Sequence, residues 1–161
     1  MVTVLPSVGG TYMYAVMFNT RIESRGDGDF VKFVAIFEKP GGGEVIGYVQ
    51  GVVEENGGGL LGDILVEEEI HVRGAPFGLK KVAMSPRKMG IGSDLLVRFE
   101  SEMAARGVCD LYGNLPNDKP EVIECLVRWY EKRGYQVVLD PAFVPNQSRF
   151  SGRISKRINQ S

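Results

Sequence analysis

The first half of the chain reads as strands and the second half as helices alternating with strands. From Tyr12 to Ile22 the residues are aromatic and β-branched, which predicts a strand, and Arg25-Gly26-Asp27-Gly28-Asp29 predicts the turn after it. Phe30 to Glu38 predicts a second strand. Pro40-Gly41-Gly42-Gly43 is a hairpin loop into a third strand from Glu44 to Glu54, closed by Asn56-Gly57-Gly58-Gly59. Leu60 to Val72 passes from apolar to alternating, Arg73-Gly74-Ala75-Pro76 breaks it, and Gly78 to Met84 resumes as strand. Two strands and one long bulged strand both fit that stretch. Residues 1–10 have little periodicity, and Gly9-Gly10 predict a loose lead-in.

Helical spacing begins at Ile91. Ile91, Leu95, Leu96, Phe99 and Met103 form one stripe, Asp94, Arg98 and Glu102 occupy the opposite face, and Gly107 is placed to stop the helix. Val108 to Leu111 then predicts a strand parallel to the one before the helix, in a right-handed βαβ unit. Asn117 or Asp118 could cap a second helix with Pro120 in its first turn, Val122, Leu126, Trp129 and Tyr130 on its apolar face, and Gly134 at its end. Tyr135 to Leu139 predicts a strand, Asp140 to Asn146 a Pro-containing loop, and Arg149 to Ile158 a final antiparallel strand. The expected fold is α/β of the α+β kind: a mixed sheet of about seven strands with both helices in the C-terminal half.

Composition narrows the function classes. A chain of 161 residues with 43% hydrophobic residues is expected to be one globular domain over 1–161. No apolar run approaches the roughly 20 residues of a membrane helix, and Met1 to Tyr12 lacks the pattern of a secretory signal, so a cytoplasmic protein without a membrane partner is expected. Cys109 and Cys125 have no metal or redox spacing, which predicts buried, reduced thiols and no metal site. The net charge of −1 argues against nucleic acid, although Arg149, Arg153, Lys156 and Arg157 form a local basic run that a solvated strand face explains.

The candidate chemistry lies in Val82-Ala83-Met84-Ser85-Pro86-Arg87-Lys88-Met89-Gly90-Ile91-Gly92-Ser93, a strand, a basic turn and a helix start. Pro86 ends the ladder, the helix start presents unpaired N–H groups that favour anions, and Gly90 and Gly92 let a ligand approach the backbone. No Gly-x-x-x-x-Gly-Lys-Ser/Thr loop is present. A dinucleotide fingerprint fails because Leu95 stands where its third small residue belongs.

Arg87-x-x-Gly90-x-Gly92 does match the Gln/Arg-x-x-Gly-x-Gly/Ala turn of acetyl-CoA-binding proteins. Trp129-Tyr130-Glu131-Lys132-Arg133-Gly134-Tyr135 is similar to a Phe/Leu-Tyr-Glu-Lys-x-Gly-Phe signature, and Ile154-Ser155-Lys156-Arg157-Ile158 to a closing Met-x-Lys-x-Leu strand. Over residues 79–158 the chain resembles the GNAT N-acetyltransferase superfamily. The resemblance implies a mostly antiparallel seven-stranded sheet with a central parallel splay, and transfer of an acetyl group from acetyl-CoA to a primary amine by direct attack. Backbone groups of Val82, Ala83 and Met84 would hold the pantetheine arm, and Arg87, Lys88, Met89, Gly90, Ile91, Gly92 and Ser93 the pyrophosphate. A backbone N–H of the Val82 segment would stabilise the oxyanion and Tyr130 would protonate the departing thiolate, as a phenol with a pKa near 10 can.

The chain departs from that pattern in three places. Phe77, Gly78, Leu79, Lys80 and Lys81 hold no acid where the family often carries its base, so Glu67, Glu69 and His71, placed on one face by a period of two, become the candidates, with Glu69 preferred and Asp110 a further option. Asn114 or Asn117 would replace an Asn missing from the second helix, where Ile123 and Glu124 stand. Ile22 to Phe30 is a turn where the family places two helices that shape the acceptor pocket. The resemblance implies a small-molecule or peptide amine as the acceptor. The other reading is a non-catalytic acyl-CoA-binding or interaction module of the same fold. An exposed edge, or the hairpin before Pro76, could pair two copies.

Overall fold

The computed structural model describes residues 19–39, 41–73 and 81–158. The strands are β1 (Thr20–Ser24), β2 (Phe30–Lys39), β3 (Gly42–Val53), β4 (Gly59–Val66), β5 (Ile70–Arg73), β6 (Lys81–Met84), β7 (Asp110–Pro116), β8 (Gln136–Leu139) and β9 (Phe150–Arg157). The α-helices are α1 (Ile91–Ala105) and α2 (Pro120–Glu131). Seven strands form one sheet in the order β1-β2-β3-β4-β7-β9-β8, and β5 pairs with β6 in a separate hairpin. The pairs β1–β2, β7–β9 and β8–β9 are antiparallel, and β4–β7 is parallel. This is the expected mixed sheet, with a parallel junction between β4 and β7. The part of the first predicted strand before residue 19 and the Gly74–Lys80 stretch lie outside the described residues.

The chain divides into two compact units. One comprises residues up to Arg25 with Lys32–Val49 and Ile64–Arg98; the other comprises Gly26–Val31, Gln50–Asp63 and residues from Phe99 onward. In the first, Val34, Ala35, Ile36, Phe37, Ile46 and Val49 are buried along β2 and β3, and Ile91, Leu95 and Leu96 are buried on α1. In the second, Phe99, Met103, Leu111, Leu115, Ile123 and Ile154 are buried. Full burial of each such Val, Leu, Ile, Phe or Met side chain contributes about 1.5–3 kcal/mol.

Every residue of the predicted α1 stripe is buried, and Val97, off that stripe, is 60% exposed. The helix ends as its sequence requires. Gly107 has φ of 85°, its N–H bonds to Ala104 O, and Val108 N–H reaches back to Met103 O. That paired closure needs a left-handed residue, which glycine adopts without a Cβ penalty.

Three boundaries differ from the sequence reading. The run from Leu60 to Met84 is three strands, because the adjacent carboxylates Glu67, Glu68 and Glu69 leave the ladder after Glu67 N–H bonds to Ile46 O. The parallel neighbour of β7 is therefore β4, and β6, the strand next to α1 in sequence, pairs among the described residues only with β5. Neither Asn117 nor Asp118 caps α2. The cap position is Lys119, which lacks a side-chain cap bond; Pro120 follows at the start, where its missing donor costs nothing.

Candidate functional site

The basic turn belongs to the first unit. Pro86–Met89 forms one 3-10 turn, Gly90 follows with φ of 76° and ψ of 10°, and α1 starts at Ile91. Nothing lies within 4 Å of where a Cβ on Gly90 would stand. Glycine is therefore required there by the left-handed backbone, and the space above it is open. Asp94 N–H bonds to Gly90 O at 3.1 Å, and Ile91 and Gly92 stand in the first turn of α1, where backbone donors precede the i→i−4 ladder. Pro86 is buried and Arg87 exposed. The Arg87 side chain is held at both ends of its fork, Nε donating to Val66 O at 3.0 Å and Nη1 to Glu68 Oε1 at 2.8 Å. This anchors the turn to the end of β4. Lys88 and Met89 lie in the turn, Ser93 in the first turn of α1, and Val82, Ala83 and Met84 in β6, where they pair with Val72, His71 and Ile70.

Tyr130 belongs to the second unit. It is 6% exposed near the C-terminal end of α2. Its ring meets Trp129 edge-on at 4.9 Å and Tyr135 at 5.3 Å with 69° between planes, arrangements that suit the quadrupoles of both pairs. Tyr135 in turn donates its hydroxyl to Glu100 Oε1 at 2.8 Å, while Lys156 Nζ bonds to Glu100 Oε2 at 2.8 Å and lies 5.2 Å from the Tyr135 ring centre. Arg133 covers Trp129 at 3.8 Å and donates to its carbonyl. Burial, and then the charge of Asp63, push the Tyr130 phenol up to about 12. Burial and the Glu100 carboxylate raise Tyr135 further. Both phenols are thus protonated at neutral pH.

The parallel junction completes the second unit's site. β4 and β7 pair only through Gly59↔Leu111, Leu60↔Tyr112 and Leu61↔Gly113. Asp63 stands two residues beyond the last pair, on the face of Gly59 and Leu61 by the period of two. It is exposed, and its charge acts on Tyr130. The sequence reading missed this carboxylate. Its signal was available: it is the one charged residue within the apolar run Gly59–Val66.

The other candidate residues are placed as follows. Glu67 and Glu69 are exposed and lie between β4 and β5, so no continuous strand sets them on one face with His71. Asn117 donates its amide to Ser148 O at 2.7 Å, which ties the end of β7 to the loop before β9. Asp110 and Asn114 are exposed on β7.

No protein-family model matches the sequence, and no curated protein matches it. Solved structures do. IAA acetyltransferase from Bacillus cereus ATCC 14579 is similar at TM-score 0.57 and 16% identity, over 87% of this chain and 100% of that one. An acetyltransferase of the GNAT family from Staphylococcus aureus Mu50 is similar at TM-score 0.54 and 14% identity, over 81% and 69%. A Bacillus anthracis str. Ames structure solved in complex with acetyl coenzyme A is similar at TM-score 0.56 and 14% identity, over 82% and 64%. The chain has the GNAT fold.

Proposed function

We propose that the protein is an acetyl-CoA-dependent N-acetyltransferase acting on a primary amine. The observation that carries this reading is Tyr130. It is a buried, protonated phenol in the same unit as a parallel strand pair that opens after three residues, with Asp63 at the opening. The fold and the Arg87-x-x-Gly90-x-Gly92 turn support it from the cofactor side.

The residues present suit an acyl-CoA. The left-handed Gly90, the open space above it and the donors of Ile91 and Gly92 fit a pyrophosphate, with the cationic Arg87 and Lys88 in the same turn. Val82, Ala83 and Met84 offer backbone groups for the pantetheine arm. When bound, acetyl-CoA supplies an activated acyl group and a thiol leaving group. The amine nitrogen forms its bond to the acetyl carbon as the carbon–sulfur bond breaks. Asp63 accepts the proton the nitrogen loses, in place of Glu69, and Tyr130 donates a proton to the sulfur. The two events are linked. Once Asp63 is protonated, its charge no longer opposes ionisation of Tyr130, and the phenol becomes a stronger acid. Solvent restores both groups afterwards.

Calorimetry with acetyl-CoA tests the cofactor half. Binding at submillimolar concentration that is lost in Gly92→Glu is expected. Binding that survives this substitution places the cofactor elsewhere.

A further inference from the structure

The turn, Tyr130 and Asp63 leave one built feature of the second unit unused. An open cavity of about 700 Å³ is lined by Asn114, Val138, Leu139, Arg149, Phe150 and Arg153 among others. Three of these form a row across three strands, because Asn114 is opposite Arg153 and Arg153 is opposite Val138. Asn114 is also the residue next to Gly113, the last of β7 to pair with β4. One lining residue thus stands beside the end of the parallel pairing, and the rest of the lining lies on β8, β9 and the loop between them.

Its wall is ordered. In the loop from Asp140 to Arg149, Val144 N–H bonds to Ser148 Oγ at 2.9 Å, Phe143 N–H to Asp140 O at 3.0 Å, and Asn117 pins Ser148 O from the end of β7. Asp140, the acidic residue of the lining, turns its carboxylate into this loop and accepts the Ala142 N–H at 2.8 Å. Arg149 lies 5.1 Å from the Phe150 ring centre, and neither Arg149 nor Arg153 has an ion pair with any described residue. The lining thus joins two cationic forks and an amide to the exposed apolar surfaces of Val138 and Leu139, which are 67% and 51% exposed.

We propose that this cavity is the acceptor subsite and that it takes an amine bearing a carboxylate and an apolar side group, the chemistry of an apolar α-amino acid. A guanidinium presents parallel N–H donors that match both oxygens of a carboxylate, and an amide lacking the charge forfeits that match. The apolar group covers Val138, Leu139 and Phe150. A polycationic amine is disfavoured by the two arginines. The assignment rests on the acetyltransferase reading, and the test separates the two.

Thiol release from acetyl-CoA is measured with leucine and with leucinamide, beside equilibrium binding of the same two compounds by calorimetry, for the full chain and for Arg153→Gln and Arg149→Gln. At neutral pH the less basic amine of leucinamide is the more abundant free base, which outweighs its lower intrinsic nucleophilicity, so a preference for leucine cannot come from the nucleophile. The expected result is kcat/KM at least about tenfold higher for leucine, falling about tenfold or more in either variant while leucinamide is unaffected. Equal rates for the two, unchanged in both variants, overturn the subsite and leave the transferase standing. Leucine binding that exceeds leucinamide binding and is lost in Arg153→Gln, with no thiol release from any amine, supports the carboxylate site and overturns the transferase. Absence of leucine binding together with absence of leucine turnover overturns the subsite.

Discussion

The hydroxyl of Tyr135 donates to Glu100 at 2.8 Å. Through that bond, α1 fixes the ring that packs edge-on against Tyr130 at 5.3 Å, and Lys156 satisfies the second carboxylate oxygen of Glu100. Glu100 and Lys156 are 16% and 22% exposed, so this is a part-buried network in which loss of one member leaves another unpaired. Tyr135→Phe is expected to cost about 1.5–3 kcal/mol of stability, the range for a hydrogen bond to a charged group. Urea unfolding checks it, and a midpoint equal to wild type contradicts the network.

Tyr130 predicts an alkaline limb of instability. Its folded phenol titrates at about 12 against an ordinary 10, so between those values the unfolded chain ionises first. The associated stability is fully present below pH 10 and is lost as pH rises through 12, about 3 kcal/mol in all. The raised Tyr135 acts in the same direction. Comparison of Tyr130→Phe with wild type over this window isolates the first contribution: the variant should lose less stability as pH rises.

Arg87 meets Glu68 at 2.8 Å with both side chains more than half exposed. Such pairs are worth little, about 0–1 kcal/mol, but this one occupies a donor expected to meet a phosphate. Glu68→Gln should tighten acetyl-CoA binding by about two- to fivefold at low salt, and the gain should vanish at high salt. Weaker binding in the variant would assign Glu68 the opposite role.

Gly90 tests the turn without adding charge. Alanine at φ of 76° has space for its methyl group yet costs about 1–2 kcal/mol because a Cβ disfavours the left-handed region. Gly90→Ala should unfold at lower denaturant and bind acetyl-CoA more weakly. A stability unchanged from wild type would mean that the turn relaxes to another conformation.

Much of this architecture was readable from residue spacing, and the exceptions have local causes. The stripe from Ile91 to Met103 and the stop at Gly107 predicted α1 because periodicity and a left-handed cap are sequence-local signals. The stretch from Leu60 to Met84 was not resolved, because alternation alone does not say which strand a run pairs with. Three adjacent glutamates end β4 at Val66 and send β6 to a hairpin. Asn117 has the composition of a cap, yet its amide is drawn to Ser148 O, a partner far away in sequence. Asp63 was overlooked because a carboxylate on a strand ordinarily signals a solvated face. Only the pairing of β4 with β7 shows that it stands at an opening.

Amine-dependent release of coenzyme A thiol from acetyl-CoA, followed in wild type and in Tyr130→Phe at matched cofactor saturation, tests the transfer itself. The account predicts release that requires an amine and falls about 100-fold or more in the variant, the range of a lost general acid, with acetyl-CoA affinity preserved. Release at the wild-type rate in Tyr130→Phe contradicts the mechanism, and tight acetyl-CoA binding without release from any amine contradicts the transferase.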